Sequence, residues 1–115
     1  MADMVKADTD LIWRALASPQ RRAILASLRD GPRTTTDLVE RFPSQTRFAV
    51  MKHITLLRKV GLIRTKEEGR RKLNIINALT IRLVYEELVD GYQDLWARQL
   101  LDVKRRVESK GNQDE

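Results

Sequence analysis

The sequence is poor in several residue types whose chemistry often defines a function. Among its 115 residues there is no cysteine, there is a single histidine, and aromatic side chains make up only 5%. Without cysteine, a disulfide scaffold, a thiolate metal site and a cysteine nucleophile are excluded. We also find no Ser-His-Asp arrangement, no glycine-rich phosphate loop and no histidine cluster, so we expect neither enzyme activity nor a cofactor.

Long apolar runs are missing as well. The longest stretch without a formal charge, Leu73 to Ile81, has nine residues, far fewer than a membrane-spanning helix needs. The first ten residues are polar and acidic, unlike a signal or transit peptide. We therefore expect a cytoplasmic globular protein without a membrane partner, built as one domain over residues 9–110. Residues 1–8 and 111–115 are expected to be flexible ends.

Positive charge is abundant and concentrated in one part of the chain. The net charge is +6, but the 40 residues from Arg33 to Lys72 hold eleven Lys or Arg against four Asp or Glu. The remaining residues together carry a net charge of −1. A confined basic block is typical of a protein that binds a polyanion, either nucleic acid or an anionic membrane surface.

Apolar periodicity predicts a mostly helical chain. Four helices come first, each bounded by capping or turn residues such as Ser18-Pro19, Gly31-Pro32 and Gly61. Their predicted extents are about 9–17, 19–29, 35–42 and 46–60. In the fourth helix Val50, Ile54 and Leu57 form a core stripe at i, i+4 and i+7.

The second half of the chain predicts a β-hairpin and one long helix. Two short apolar–polar alternations flank a charged tip at 68–72, where Gly69 supplies the turn. From about Thr80 apolar residues recur every three or four positions for close to 30 residues. The predicted fold is therefore mostly α with a small β-hairpin. It is a winged helix-turn-helix with about five helices, a two-stranded wing and a long C-terminal dimerisation helix.

A winged helix-turn-helix places a helix in the DNA major groove, so double-stranded DNA is the predicted partner. The face of the fourth helix opposite its core stripe carries basic, polar and apolar side chains, and so do the turn before it and the wing tip. The predicted DNA-binding residues are Ser44, Gln45, Thr46, Arg47, Phe48, Met51, Lys52, Thr55, Gly69, Arg70, Arg71 and Lys72. The alternative for Phe48 and Met51 is a rotated helix that buries them, and for the tip cations a hairpin edge protected by charge.

Three stretches together resemble the ArsR/SmtB family of bacterial winged-helix repressors over about residues 10–108. They run from Ala15 to Leu25, from Thr46 to Ile63 and from Glu68 to Leu73. The resemblance implies a homodimer that binds a pseudo-palindromic operator and represses transcription. Family members often pair through their first and last helices. Here the last helix has large apolar residues on more than one side, which independently indicates a second packing partner. The predicted dimer interface is Leu11, Ile12, Leu83, Leu88, Tyr92, Leu95, Trp96, Gln99 and Val103.

The chain departs from the metal-sensing members of that family. Its third helix contains neither cysteine nor histidine, and its last helix contains no histidine. One histidine, His53, cannot form a zinc site of the family type; we interpret it as structural and expect no metal site. The sequence does not indicate a small-molecule effector. Two alternatives to a sequence-specific regulator stay open: a winged-helix module that binds an acidic protein, and a nonspecific nucleic-acid binder.

Overall fold

The computed structural model describes the backbone of residues 2–113 and the side chains of residues 9–111. This part of the chain contains six helices and three strands, and it divides into two compact units, one ending at Ile81 and one beginning at Arg82. The predicted class, mostly helical with a small antiparallel sheet, is confirmed. The elements are α1 (Ala2–Leu16), α2 (Pro19–Leu28), β1 (Arg33–Thr34), α3 (Thr35–Arg41), α4 (Arg47–Lys59), β2 (Ile63–Glu68), β3 (Arg71–Ile76), α5 (Ala78–Gly91) and α6 (Gln93–Gln113).

Helix α1 begins at Ala2, whereas the apolar pattern predicted a start near residue 9. Its C-terminal carbonyls are capped by arginines of the next helix. Arg21 donates to the carbonyls of Ala15 (2.6 Å) and Arg14 (3.0 Å), and Arg22 donates to that of Leu16 (2.6 Å). Guanidinium groups satisfy the unpaired carbonyls at a helix C-terminus and complement its dipole. These contacts tie α1 to α2.

The predicted flexibility of the two ends is not tested by the fold. Helix α6 continues to Gln113, beyond the predicted boundary at residue 110. Residue 1 and residues 114 and 115 lie outside the described residues, and so do the side chains of 2–8 and 112–113.

The core of the first unit lies where α2, α3 and α4 meet. Apolar side chains from these helices are nearly inaccessible, and full burial of each contributes about 1.5–3 kcal/mol. The apolar spacing also predicts burial of Ala23 in α2 and of Phe42 at the end of α3, but both are only half-buried, whereas Leu25 is buried. The buried residues of the three helices are Ile24, Leu25, Leu28, Leu38, Val50, Ile54 and Leu57.

Side-chain caps set the starts of α2, α3 and α4. The hydroxyls of Ser18, Thr34 and Thr46 each accept a backbone N–H from the first turn that follows. At α3 the bond is returned: Asp37 accepts the N–H of Thr34 at 3.2 Å, which completes a capping box. These hydrogen bonds from Thr34 lower the pKa of the Asp37 carboxyl below its ordinary value of 3.8.

The sheet has three strands in the order β1-β3-β2, one more than the predicted hairpin. The two-residue strand β1 pairs with β3, Arg33 opposite Asn74 and Thr34 opposite Leu73. Strands β2 and β3 form the wing, joined by Gly69 and Arg70. Gly69 has a φ of +63°, as a type II′ hairpin turn requires at its first position.

A long C-terminal helix is present as predicted, but the stretch from about Thr80 forms two helices rather than one. Helix α5 ends at Gly91 and α6 begins at Gln93. At the break the Tyr92 N–H bonds to the carbonyl of Val89, three residues back, at 3.1 Å. Glycine is a weak helix former, so Gly91 does little to keep the regular α-helical hydrogen bonding at this point. Apolar spacing continues through the break and therefore could not reveal it. None of the described helices has the length and apolar character needed to cross a membrane.

Candidate nucleic-acid interface

Helix α4 has two faces with opposite exposure. Val50, Ile54 and Leu57 are at most 2% exposed. On the other side Phe48 is 75% exposed and Met51 is 46% exposed. The apolar stripe therefore faces the core as predicted, and the rotated alternative that would bury Phe48 and Met51 is wrong. The outer face, which we call the α4 outer face, consists of Arg47, Phe48, Met51, Lys52 and Thr55, all exposed.

The N-terminus of α4 has a positive electrostatic environment. The Thr46 hydroxyl caps it by accepting the Ala49 N–H at 3.1 Å. Its first turn contains no acidic residue, and its first residue is Arg47. Acidic side chains normally occupy this end because the helix dipole is positive there. An arginine at this end does not help the helix, but it adds to a positive potential that attracts phosphate.

The apolar part of the α4 outer face is held next to a cation. The Lys52 ammonium lies 6.0 Å from the centre of the Phe48 ring, within the range of a cation–π contact. Exposing a phenylalanine to this extent forfeits most of the free energy that its burial would contribute. The contact keeps the ring beside the ammonium group on the surface of the helix, where both are accessible to a partner.

The hydroxyls near this face are already partly used within the protein. Thr55 donates to the carbonyl of Met51 at 2.9 Å. Its methyl group and the lone pairs of its hydroxyl oxygen are therefore what a partner could contact. Ser44 and Gln45 lie in the turn before α4; Ser44 is exposed and Gln45 is half-buried. Thr46, rather than Ser44, serves as the cap.

The wing brings fewer cations to its tip than the sequence suggested. Only Gly69 and Arg70 lie in the turn, because Arg71 and Lys72 already belong to β3. In the register Arg71 is opposite Glu68 and Lys72 is opposite Glu67. Opposite charges at facing positions attract each other. Arg70 is therefore the tip cation without a facing carboxylate in the strand register.

A buried asparagine connects the wing to the helices, and sequence reasoning missed it. Asn74 of β3 is 2% exposed. Its Nδ2 donates to the Arg33 carbonyl and to Thr35 Oγ1, each at 3.2 Å. Its Oδ1 accepts from Arg58 Nη2 at 3.3 Å. One amide thus joins β1, the first turn of α3, the last turn of α4 and β3. The available signal was a polar residue between the apolar Leu73 and Ile75.

His53 lies on α4, half-buried, and no described contact makes it a ligand. Burial lowers its pKa below the ordinary value of 6.5, and the positive charges of Arg21 and Lys52 lower it further. The imidazole is therefore neutral at physiological pH. Over the described residues, His, Asp and Glu nowhere gather in a group of three that could hold a metal ion.

The predicted dimer residues lie mostly on the surface. Eight of the nine are exposed: Leu11, Leu83, Leu88, Tyr92, Leu95, Trp96, Gln99 and Val103. Ile12 is the exception, because it is 6% exposed and belongs to the core of the first unit. The prediction that Ile12 lies in the dimer interface does not fit this burial, since so little of its side chain is available to a partner.

Comparison with known proteins relates this geometry to a family. A family model described as a helix-turn-helix domain matches residues 16–66. A crystal structure of an ArsR family transcriptional regulator is 36% identical, with a TM-score of 0.68, and covers 78% of this chain and 97% of its own. The chain belongs to the ArsR family of transcriptional regulators.

Two further similarities support the assignment of this ArsR family member. The HTH-type transcriptional regulator Rv2034 of Mycobacterium tuberculosis is 27% identical over 90% of this chain and 92% of its own. The homodimeric winged helix-turn-helix DNA-binding domain Mb0332 of Mycobacterium bovis has a TM-score of 0.63 at 21% identity, over 81% of this chain and 86% of its own. The family, the winged helix-turn-helix fold and a role in transcription regulation through a DNA-binding domain are thus confirmed.

Proposed function

We propose that this regulator is a homodimeric repressor that binds a pseudo-palindromic DNA operator through α4 and the wing. The observation that carries the proposal is the two-faced character of α4. A helix that buries three aliphatic residues completely while exposing Phe48 at 75% presents an apolar and basic surface to something outside the chain. The major groove admits a helix, and its edges offer both hydrogen-bonding groups and thymine methyl groups.

Within α4, base reading falls to the first two turns. Arg47 is the first residue of the helix and carries a planar guanidinium, the group best suited to a bidentate contact with guanine O6 and N7. Phe48 and Met51 offer apolar surface for thymine methyl groups. Lys52, Thr55 and the turn residues Ser44, Gln45 and Thr46 would contact the backbone or flanking bases.

The wing contributes attraction that does not depend on sequence. Arg70, at the turn, is the main phosphate ligand. Arg71 and Lys72 contribute less, since each of these two faces a glutamate across the strands. Phosphate contacts of this kind release counterions, so they make binding weaker as salt rises. Gly69 shapes the turn that presents Arg70.

A second copy of the chain is the proposed partner of the exposed apolar residues of α1, α5 and α6. Large apolar surfaces on one chain mark interaction sites, and the similar M. bovis domain is homodimeric. A two-fold symmetric dimer would place two α4 helices about 34 Å apart, one turn of DNA. We propose repression because the chain resembles a family of repressors. We expect a cytoplasmic location because such a regulator meets its operator there.

Selection of bound duplexes from a random pool, followed by sequencing, tests this function. We expect an inverted repeat whose half-site centres lie about 10 base pairs apart. The selected site should bind at least about a thousandfold tighter than random duplex at physiological salt. A pool that shows no enriched motif would contradict the proposal and favour nonspecific binding. A reporter gene with the selected site in its promoter should be transcribed less when this regulator is present. A rise in its transcription would contradict repression.

A further inference from the structure

Arg58, in the last turn of α4, is anchored on a buried group. Its Nη2 donates to Oδ1 of Asn74 at 3.3 Å, and Asn74 is 2% exposed, whereas Arg58 itself is exposed. A guanidinium has five N–H donors, and this hydrogen bond uses one of them. Arg58 therefore holds accessible donors at a fixed point between α4 and the wing strand β3.

The anchor is itself held by several elements. The Asn74 amide also donates to the Arg33 carbonyl and to Thr35 Oγ1, each at 3.2 Å. The Arg33 side chain in turn donates from Nε to the Ser27 carbonyl at 2.7 Å. Hydrogen bonds thus connect β3 to α2, α3 and α4. A side chain attached to this network has less rotamer freedom to lose when it binds a partner.

No carboxylate in α4 or β3 can neutralise Arg58, because neither element contains Asp or Glu. Cations in the last turn of a helix complement its dipole, and this explains the positive charge of both Arg58 and Lys59. It does not explain why an exposed arginine is bonded to a buried amide. Lys59 has the same charge, turn and exposure but is not among the partners of Asn74. The anchoring therefore distinguishes Arg58 from its neighbour.

Arg58 lies on the same side of α4 as Arg47. The two residues are eleven positions apart, which is three turns plus about 20° and about 16 Å along the helix axis. The major groove of DNA is about 12 Å wide. When the first turn of α4 contacts base edges, its last turn therefore lies beyond the bases, at the phosphates that border the groove.

We propose that Arg58 is a phosphate ligand and that Asn74 is the residue that positions it. This inference rests on the DNA binding proposed above and adds a contact between the groove read by α4 and the wing. A guanidinium with accessible donors can bond two oxygens of one phosphate. Asn74 lies three positions after Arg71 in β3, about 10 Å along the strand, so Arg58 and the wing tip contact different phosphates.

The first test is the salt dependence of binding to the operator and to random duplex. Arg58→Gln keeps an N–H donor for Asn74 but removes the charge. The slope of log K against log salt should fall in magnitude by about 0.9 for each half-site. Because a phosphate contact does not read sequence, both duplexes should weaken by the same factor. Lys59→Gln is the matched control and should change the slope less. Equal changes in the two variants, or none in Arg58→Gln, would overturn the proposal.

A methylphosphonate scan of the operator locates the contact. Replacing one phosphate at a time by this uncharged group should reveal a position in each half-site where the parent loses affinity and Arg58→Gln does not. Asn74→Leu leaves the charge of Arg58 in place, so its salt slope should stay near that of the parent. Its sensitivity to that one position should decrease, because the guanidinium is no longer fixed.

Circular dichroism establishes that each variant is folded at the temperature used. A purely structural role of Asn74 would lower stability without changing which phosphate matters, and that result would overturn the positioning role. A scan in which Arg58→Gln responds at every position like the parent would overturn the phosphate contact.

These outcomes differ from those that test the proposed function. Operator binding with an unchanged salt slope in Arg58→Gln overturns this inference alone and leaves the regulator proposal in place. If selection yields no operator but the protein binds random duplex, the slope of Arg58→Gln on random duplex still decides the phosphate contact. A parent protein that binds no duplex at low salt overturns both.

Discussion

The two units of this regulator differ in where their apolar side chains lie. Among the described residues, the unit that ends at Ile81 contains all of the buried apolar side chains except Val84. From Arg82 onward ten large apolar residues are exposed, among them Leu88, Trp96 and Leu100. The first unit forms its core within one chain, although Phe48 and Met51 stay exposed. The second leaves most of its apolar side chains exposed, and in the proposed homodimer a second copy would bury them.

This contrast separates two sources of stability. Burial in the first unit is intramolecular, so its contribution does not depend on protein concentration. In the proposed homodimer, burial of the second unit comes with association, so it would grow with concentration by mass action. Identical substitutions in the two units should therefore behave differently, and this difference allows the comparison to be tested.

The largest effect is expected in the first unit, for Leu57→Ala. Leu57 is 0% exposed on the inner face of α4, and truncating a buried leucine costs about 2–5 kcal/mol because it leaves a cavity. Urea denaturation should show this loss in the free energy of unfolding at every protein concentration. Met51→Ala on the same helix, which is exposed, is the control and should change stability by at most about 0.5 kcal/mol. Equal effects of the two would show that the faces are misassigned.

A smaller loss is expected when the buried amide in the sheet is removed. Asn74→Leu keeps the number and branching of the side-chain heavy atoms but leaves the Arg33 carbonyl and Thr35 hydroxyl without their partner. Leaving buried polar groups unsatisfied costs about 1–3 kcal/mol. Denaturant titration measures this cost. If Asn74→Leu is as stable as the parent, these hydrogen bonds do not hold the wing against α3 and α4.

Leu100→Ala truncates a leucine of the second unit in the same way as Leu57→Ala truncates one of the first unit. Because Leu100 is 58% exposed in the single chain, the variant should unfold like the parent in dilute solution. As protein concentration rises, the parent should gain thermal stability and the variant should gain less. Melting curves over a wide concentration range give this measurement. A loss that is the same at all concentrations would indicate burial of Leu100 within its own chain.

The smallest effect concerns pH. The folded chain holds the pKa of His53 below 6.5, so on acidification the unfolded chain takes up the proton first. Stability from this residue is therefore present above pH 6.5 and decreases as the pH falls toward the lowered pKa of the folded state. His53→Gln should lose less stability than the parent between pH 7.5 and pH 5.5, as followed by melting temperature. A parallel decline in both proteins would exclude burial of the neutral imidazole.

Features of the fold that depend on residues close together in sequence were the predictable ones. The stripe of Val50, Ile54 and Leu57 was predictable, because its spacing follows the helical period. The exposure of Phe48 was favoured by the same pattern, but a rotated helix stayed open until the structure excluded it. The cap at Ser18 was predictable for a related reason, since its hydrogen bond is local in sequence.

What could not be predicted depends on contacts distant in sequence or on small backbone adjustments. Strand β1 has two residues and exists only because β3 pairs with it, 40 residues later. The role of Asn74 arises from three partners on other elements. The break at Gly91 leaves the apolar spacing unchanged, and Ile12 has the same residue type whether it faces the core or a second chain.

In the proposed function, the α4 outer face reads bases while the wing supplies nonspecific attraction. The most direct measurement compares Arg47→Ala with Arg70→Ala on the selected operator and on random duplex over a range of salt concentrations. We predict that Arg47→Ala loses about 1–3 kcal/mol on the operator and relaxes specificity at one position of each half-site. Arg70→Ala should weaken both duplexes alike and reduce the salt slope by about 1. Unchanged operator affinity and specificity in Arg47→Ala would contradict the claim.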